Sequence, residues 1–241
     1  MSVAYTFSLF LSFLFVLITL IVGLRIFLQY FKYREINLLY IGLAWLGMAT
    51  PYFPEFTQFL FLLIGQPPTS AVIYFFYFLF NIADLPIFLM LWLAGITNML
   101  KIERKKRRLI LIIILTLSFL AEILLFYFYF MQPGMIWGKQ NETYTWALFP
   151  HLLLYSILAI ILLTGLMFVR EALNAKGETK LKGKLLLIAF LLFVVGAVMD
   201  TIFTIDVPIP LMIARLLLAS GSIFFYLGFL LPSWVKKRFL K

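Results

Sequence analysis

Cysteine is absent from the 241 residues, and His151 is the single histidine. The first absence removes disulfides, thiolate catalysis and cysteine-ligated metals together. The second leaves any zinc site dependent on carboxylates, with no H-E-x-x-H spacing to build it. Charge is scarce as well: 12% of residues are charged and 64% hydrophobic, against roughly 25% and 45–50% in soluble domains. No polar shell could cover a water-soluble core of this composition, so lipid is the expected solvent. No P-loop, G-x-G-x-x-G or G-x-S-x-G occurs, and the chain reads as a non-enzyme without a cofactor.

Apolar sequence in long runs is what the chain has in plenty. Seven segments stand out, at about 4–29, 36–53, 71–98, 109–131, 146–169, 184–204 and 209–231. Each is long enough to cross ~30 Å of hydrocarbon, the second only marginally. The expectation is an all-α polytopic membrane protein, a seven-transmembrane-helix bundle forming one domain over 1–241. The first segment has no basic residue before it and no small-residue cleavage site, which reads as a retained span and not a signal peptide. In "TPYFPEFTQFLFLLIG", Pro51 and Pro54 should break the second helix, leaving 55–65 as an interfacial helix or a kinked continuation. No internal repeat, low-complexity tract or sustained heptad is legible by inspection.

The net charge of +10 could suggest nucleic acid, but the basic residues lie in short connections and form no folded basic face. Lys32 and Arg34, "KIERKKRR", Arg170 to Lys184 and "KKRFLK" make every second connection positive. The others carry Lys139 with Glu55, Glu142 and Asp206. The positive-inside rule then puts the N-terminus outside and the C-terminus in the cytoplasm of a cell membrane. Anionic lipid headgroups are the expected partners of the basic runs, and a separate membrane or cytoplasmic protein partner stays open. The sequon at Asn141 and the interfacial aromatics Trp137, Tyr144 and Trp146 fall on the expected outer side.

A charge near the centre of a spanning helix costs at least ~2.5–3.5 kcal/mol, so the charges inside these segments mark the candidate sites. They are Asp84, Glu122, Asp200 and Arg215, with His151 in the first turns of segment five. At a rise of about 1.5 Å per residue, Asp200 and Arg215 lie roughly 6–8 Å below the ends of consecutive antiparallel helices. They stand level, as a structural ion pair that clamps two helices. If they pair only with each other, Asp200→Asn with Arg215→Gln should leave the protein nearly intact. Asp84 lies about 20 Å in, two residues before Pro86, on a face with Tyr74, Tyr77, Asn81 and Phe88. A protonated Asp84 bonded to Asn81 and a functional Asp84 are equally weighted readings. Glu122 shares a face with Ser118 and Tyr129, and His151 with Tyr144 and Tyr155. A polar outer-half cavity would gather such groups around a small ligand or a proton path; a surface histidine at a helix start is the plainer reading of His151.

Seven spans invite comparison with retinal proteins, but the last segment, "PIPLMIARLLLASGSIFFYLGFLLP", holds no lysine for a Schiff base, so a rhodopsin is excluded. The aromatic third segment with its central proline, "YFFYFLFNIADLPIFLMLWLAG" at 74–95, resembles the seven-helix membrane sensor regions of prokaryotic histidine kinases. That resemblance implies ligand sensing, with the signal passed to a separate partner. Three functions are therefore expected in order: a receptor-like or sensor-like module binding a small molecule or lipid, with Pro86 as bending point; a small transporter or ion/proton pathway using the buried acids; and a structural or assembly subunit.

Overall fold

The computed structural model describes residues 3–65, 75–100, 102–138, 145–203 and 208–239. It is predominantly helical, and seven of its helices are long and apolar enough to cross a membrane. In chain order they are α1 (Val3–Tyr33), α2 (Ile36–Leu63), α3 (Phe75–Met99), α4 (Arg104–Met131), α5 (Leu148–Asn174), α6 (Gly177–Ile202) and α7 (Pro208–Leu230). A short α8 (Ser233–Phe239) follows a sharp turn at Leu231, whose φ is 44°. Two-residue strands β1 (Trp137–Gly138) and β2 (Thr145–Trp146) pair antiparallel between α4 and α5, with their tryptophan rings stacked 4.8 Å apart.

Several helices outrun the apolar segments that signal them. α4 begins in the basic run at Arg104, and α6 begins at Gly177 among lysines. Charge does not end a helix at a membrane surface, because long Lys and Arg stems cover apolar neighbours while their heads stay in water. Arg107 is an exception that turns inward: it donates to the Ala94 carbonyl at 3.0 Å and contacts the Thr97 hydroxyl, pinning the start of α4 to the end of α3.

Two helices are interrupted. The second does not stop at Pro51: Ile36–Gly47 gives way to a 3-10 turn, Thr50–Tyr52, and the helix resumes over Phe53–Leu63. Residues 55–63 thus belong to a spanning-length helix of 28 residues. The prolines permit this because each sits in the first turn of a helical stretch, where a missing N–H breaks no bond. The Thr50 hydroxyl donates to the Gly47 carbonyl at 2.8 Å, satisfying an acceptor that the break releases. In α3 a π turn, Leu79–Ala83, precedes Pro86, with Asp84 N–H reaching back to the Leu79 carbonyl at 3.2 Å. A proline ring clashes with the carbonyl four residues earlier, and widening the preceding turn relieves that clash. The two interruptions lie against each other.

Six helices close a ring in the order α1, α2, α3, α5, α6, α7, with α7 returning to α1; α4 stands outside it, packed chiefly on α3 and exposed around most of its circumference. The ring is filled by aromatics. Trp45 stacks on Phe225 at 3.5 Å with planes 4° apart, while Trp92 and Phe190 meet edge to face at 5.7 Å. In lipid such fitting, more than aversion to water, holds helices together.

Candidate functional site

The most buried charge is Arg215 on α7, whose side chain is 5% exposed. Its Nε lies 3.3 Å from Asp200 on α6, and a second nitrogen 3.6 Å from Glu55 on the resumed half of α2. Its remaining donors go to α1, to the Ser8 carbonyl at 2.8 Å and to the Ser12 hydroxyl. Ser8 and Ser12 are one turn apart on one face, so a single helix offers the guanidinium two acceptors. Tyr52 stands close enough to Asp200 and Arg215 for their charges to act on it. Four helices therefore converge on one cation. The planar fork of Arg, with five donors, is the side chain that can serve so many acceptors at once.

Glu55 differs from its expected place. The sequence puts it in a connection, whereas the structure carries it into the bundle because α2 continues past Pro54. The available signal was its position: a lone carboxylate between two prolines and a long apolar run, one turn from the break. Nothing in the pattern marks Ser8 and Ser12, since serines are common packing residues in lipid-embedded helices.

The second polar group forms at the paired interruptions. Thr50 and, on α4, Glu122 are near enough to Asp84 to act on its carboxyl. The proposed Asp84–Asn81 bond is not made through the amide nitrogen: Asn81 Nδ2 has no partner, and neither do Asp84 Oδ1 and Glu122 Oε1. Tyr77 instead accepts from Gln58 Nε2 at 3.0 Å. The widened π turn changes the angular step between residues 79 and 84, so a stripe drawn at constant helical spacing no longer describes this face. Thr50 and Tyr52 lie at the two ends of the same 3-10 turn, which thereby touches both polar groups.

His151 and Tyr155 form a separate set. His151 Nδ1 is 3.0 Å from the carbonyl of Ala147, the residue that caps the start of its own helix, and the Tyr155 hydroxyl is 3.1 Å from that of Thr201 on α6. Tyr155→Phe should cost only about 0.6 kcal/mol in a melting experiment, the usual scale of one interhelical hydrogen bond in lipid. Asn141, Tyr74 and Tyr144 lie outside the described residues. Among the described residues no group of three His, Cys, Asp or Glu side chains is placed to hold a metal ion. A cleft of ≈ 250 Å³ opens between α1, the resumed half of α2 and α3; its walls, among them Leu20, Phe53, Phe56 and Phe80, are largely apolar, and Asp84, Glu122 and His151 are not part of them.

No family model, curated protein or solved structure matches this chain. Chemically, the paired interruptions offer oxygen acceptors and one amide donor at a place where backbone geometry departs from the helix. Such departures are tolerated inside membranes where protein or a water-lined cavity surrounds them.

Proposed function

We propose that this is a non-enzymatic, receptor-like or sensor-like multi-pass protein of the cell membrane, with its N-terminus outside and its C-terminus in the cytoplasm. It binds a small molecule or lipid beside the paired interruptions of α2 and α3. The orientation is supported by the basic residues Arg34, Arg104 to Arg108, Lys176 and Lys236 to Arg238, all of which follow the odd-numbered helices, with Lys32 in the last turn of α1. The same residues meet anionic headgroups, and a separate protein would carry the signal onward. One observation carries the binding reading: Asn81, Asp84 and Glu122 each keep a buried polar atom without a partner, next to helix breaks that touch each other. Unpaired buried polar atoms cost about 1–3 kcal/mol each, a cost that a ligand meeting them would offset. Binding would bias the bend at Pro86, and the cytoplasmic ends of α3 and α4, joined through Arg107, would report it.

A second reading is a proton or ion pathway, favoured by the two acids, Asp84 and Glu122, whose interaction partners among the described residues include no cation. Purified protein in nanodiscs, screened by thermal shift against alkali cations, amino acids, small amines and phospholipids, tests the first reading. A compound that raises the melting temperature of the parent and not of Asp84→Asn supports it. Proton entry into dye-loaded proteoliposomes that is lost in Asp84→Asn supports the second. Stabilisation by no compound, together with no flux, rejects both.

A further inference from the structure

We propose that the bundle consists of two equivalent three-helix units, α1–α3 and α5–α7, related by an approximate two-fold axis along the bundle and joined by α4, and that these units move against each other. Three observations carry the equivalence, and a fourth bears on the movement. Within the ring α1 packs on α2 and α2 on α3, as α5 packs on α6 and α6 on α7; the closing contacts are α1 with α7 and α3 with α5. Exchanging the first unit for the second converts every one of these contacts into another member of the same set. In a chain of seven antiparallel spans α1 and α5 run in the same direction, so the repeats are parallel and not inverted.

Local detail agrees. Each unit opens with a helical hairpin on a two-residue link, 34–35 and 175–176, and the seventh residue of each second helix is glycine, Gly42 and Gly183. Both glycines lie on the backbone of the preceding helix: an added Cβ would stand 2.5 Å from Phe27 N and 3.1 Å from Leu173 N. In the third helices, Ile82-Ala83-Asp84-Leu85 answers to Ile213-Ala214-Arg215-Leu216. The same shift along the chain brings Leu100 onto Leu231, both buried, and Lys105-Lys106-Arg107 onto Lys236-Lys237-Arg238. α8 is thus a shortened counterpart of the start of α4, and the two polar centres are one position of the repeat occupied by opposite charges.

The fourth observation bears on movement. Each glycine of a spanning helix that meets a neighbouring helix meets one of its own unit: Gly42 on α1, Gly95 on α2, Gly183 on α5 and Gly196 on α7 are representative. Small residues let backbones approach closely and produce tight, stiff interfaces. The seams between units contain no such approach. The α1/α7 seam is bridged by Thr19 with Ser222 at 2.9 Å and by the bonds of Arg215 to Ser8, Ser12 and Glu55, the α3/α5 seam by Trp92 with Thr164 at 2.9 Å, and flat aromatic stacks such as Trp45 on Phe225 fill the space between the units. Two stiff units that meet through polar contacts and flat rings, with no glycine-mediated backbone approach between them, are the elements of a rigid-body transition. Opening the α1/α7 seam would part Arg215 from Ser8, Ser12 and Glu55 and bring water to the 3-10 turn.

The cysteine-free sequence makes the test direct. Thr50→Cys reports solvent access through its reaction with a water-soluble maleimide in nanodiscs, where both faces are reachable. Thr19→Cys with Ser222→Cys places two sulfurs at disulfide reach across the units, and Ala172→Cys with Gly183→Cys does so within one unit, where the Cβ positions are 3.0 Å apart. Oxidising the between-unit pair should slow labelling of Thr50→Cys by about tenfold or more, and oxidising the within-unit pair should not change it. Equal labelling with the between-unit lock closed, or no labelling of the unlocked protein, overturns the proposal. Deuterium uptake by the unaltered protein provides a second measurement. Segments at Thr50–Tyr52 and around Arg215 should exchange together while those at Gly42 and Gly183 stay protected; uniform uptake overturns the proposal as well. Neither experiment uses a ligand, so its result is independent of the binding reading.

Discussion

Replacing Arg215 by methionine should lower stability by about 3–5 kcal/mol, the cost of removing one partner from a buried ionic group and leaving the others uncompensated. Asp200 and Glu55 both approach the guanidinium within 4 Å, and two of its further bonds end on α1. Removing it leaves two facing carboxylates and takes away the bonds from α7 to Ser8 and Ser12 on α1. The partnership also predicts the rescue. Arg215→Met with Asp200→Asn and Glu55→Gln should regain most of the loss, because no isolated charge remains. Arg215→Gln with Asp200→Asn, which would be nearly neutral for an isolated pair, should retain a deficit of about 2–3 kcal/mol from the stranded Glu55. Melting in a defined detergent or a steric-trap unfolding assay in bicelles distinguishes these variants. A double variant as stable as the parent would remove Glu55 from the cluster.

Gly42→Ala should be the most damaging small substitution. Alanine favours a helix over glycine by roughly 0.8–1 kcal/mol, so an unobstructed site would gain stability. At Gly42 the new Cβ would lie 2.5 Å from the backbone nitrogen of Phe27 and 2.7 Å from its Cα, atoms that cannot turn aside as a side chain can. α1 and α2 must separate, and such overpacking costs about 1–3 kcal/mol or more, outweighing the propensity gain. Gly134→Ala, with nothing within 4 Å of the added carbon, should stay within about 0.5 kcal/mol of the parent. The expected pattern is a clear drop in melting temperature for Gly42→Ala and none for Gly134→Ala. Equal behaviour of the two would show that the hairpin is not tightly closed at that glycine.

What could be read without coordinates was local or followed from counting. Seven long apolar runs gave seven helices of spanning length, though the second required the chain to pass two prolines. Depth counting put Asp200 and Arg215 at one level, and they stand 3.3 Å apart. It could not reveal that Glu55 joins them, because that depends on how α2 resumes after its break. The polar stripe of the third segment assumed an unbroken helical step, and the π turn at Leu79–Ala83 alters that step. Asp84 consequently faces Thr50, a residue with no distinguishing pattern around it.

The sequence by itself determined the number of spanning-length helices and the grouping of basic residues after the odd-numbered ones. Length, hydropathy and charge act along the chain, one segment at a time. The tertiary structure alone decided which helices are neighbours, that α4 lies outside the ring and that four helices meet at Arg215. In helices long and apolar enough to cross a membrane, the outward faces and the faces that touch other helices are both apolar, so rotation and neighbour order leave little trace in the hydrophobic pattern. They are set by the fit of glycines, hydroxyls and a single guanidinium to surfaces distant in sequence.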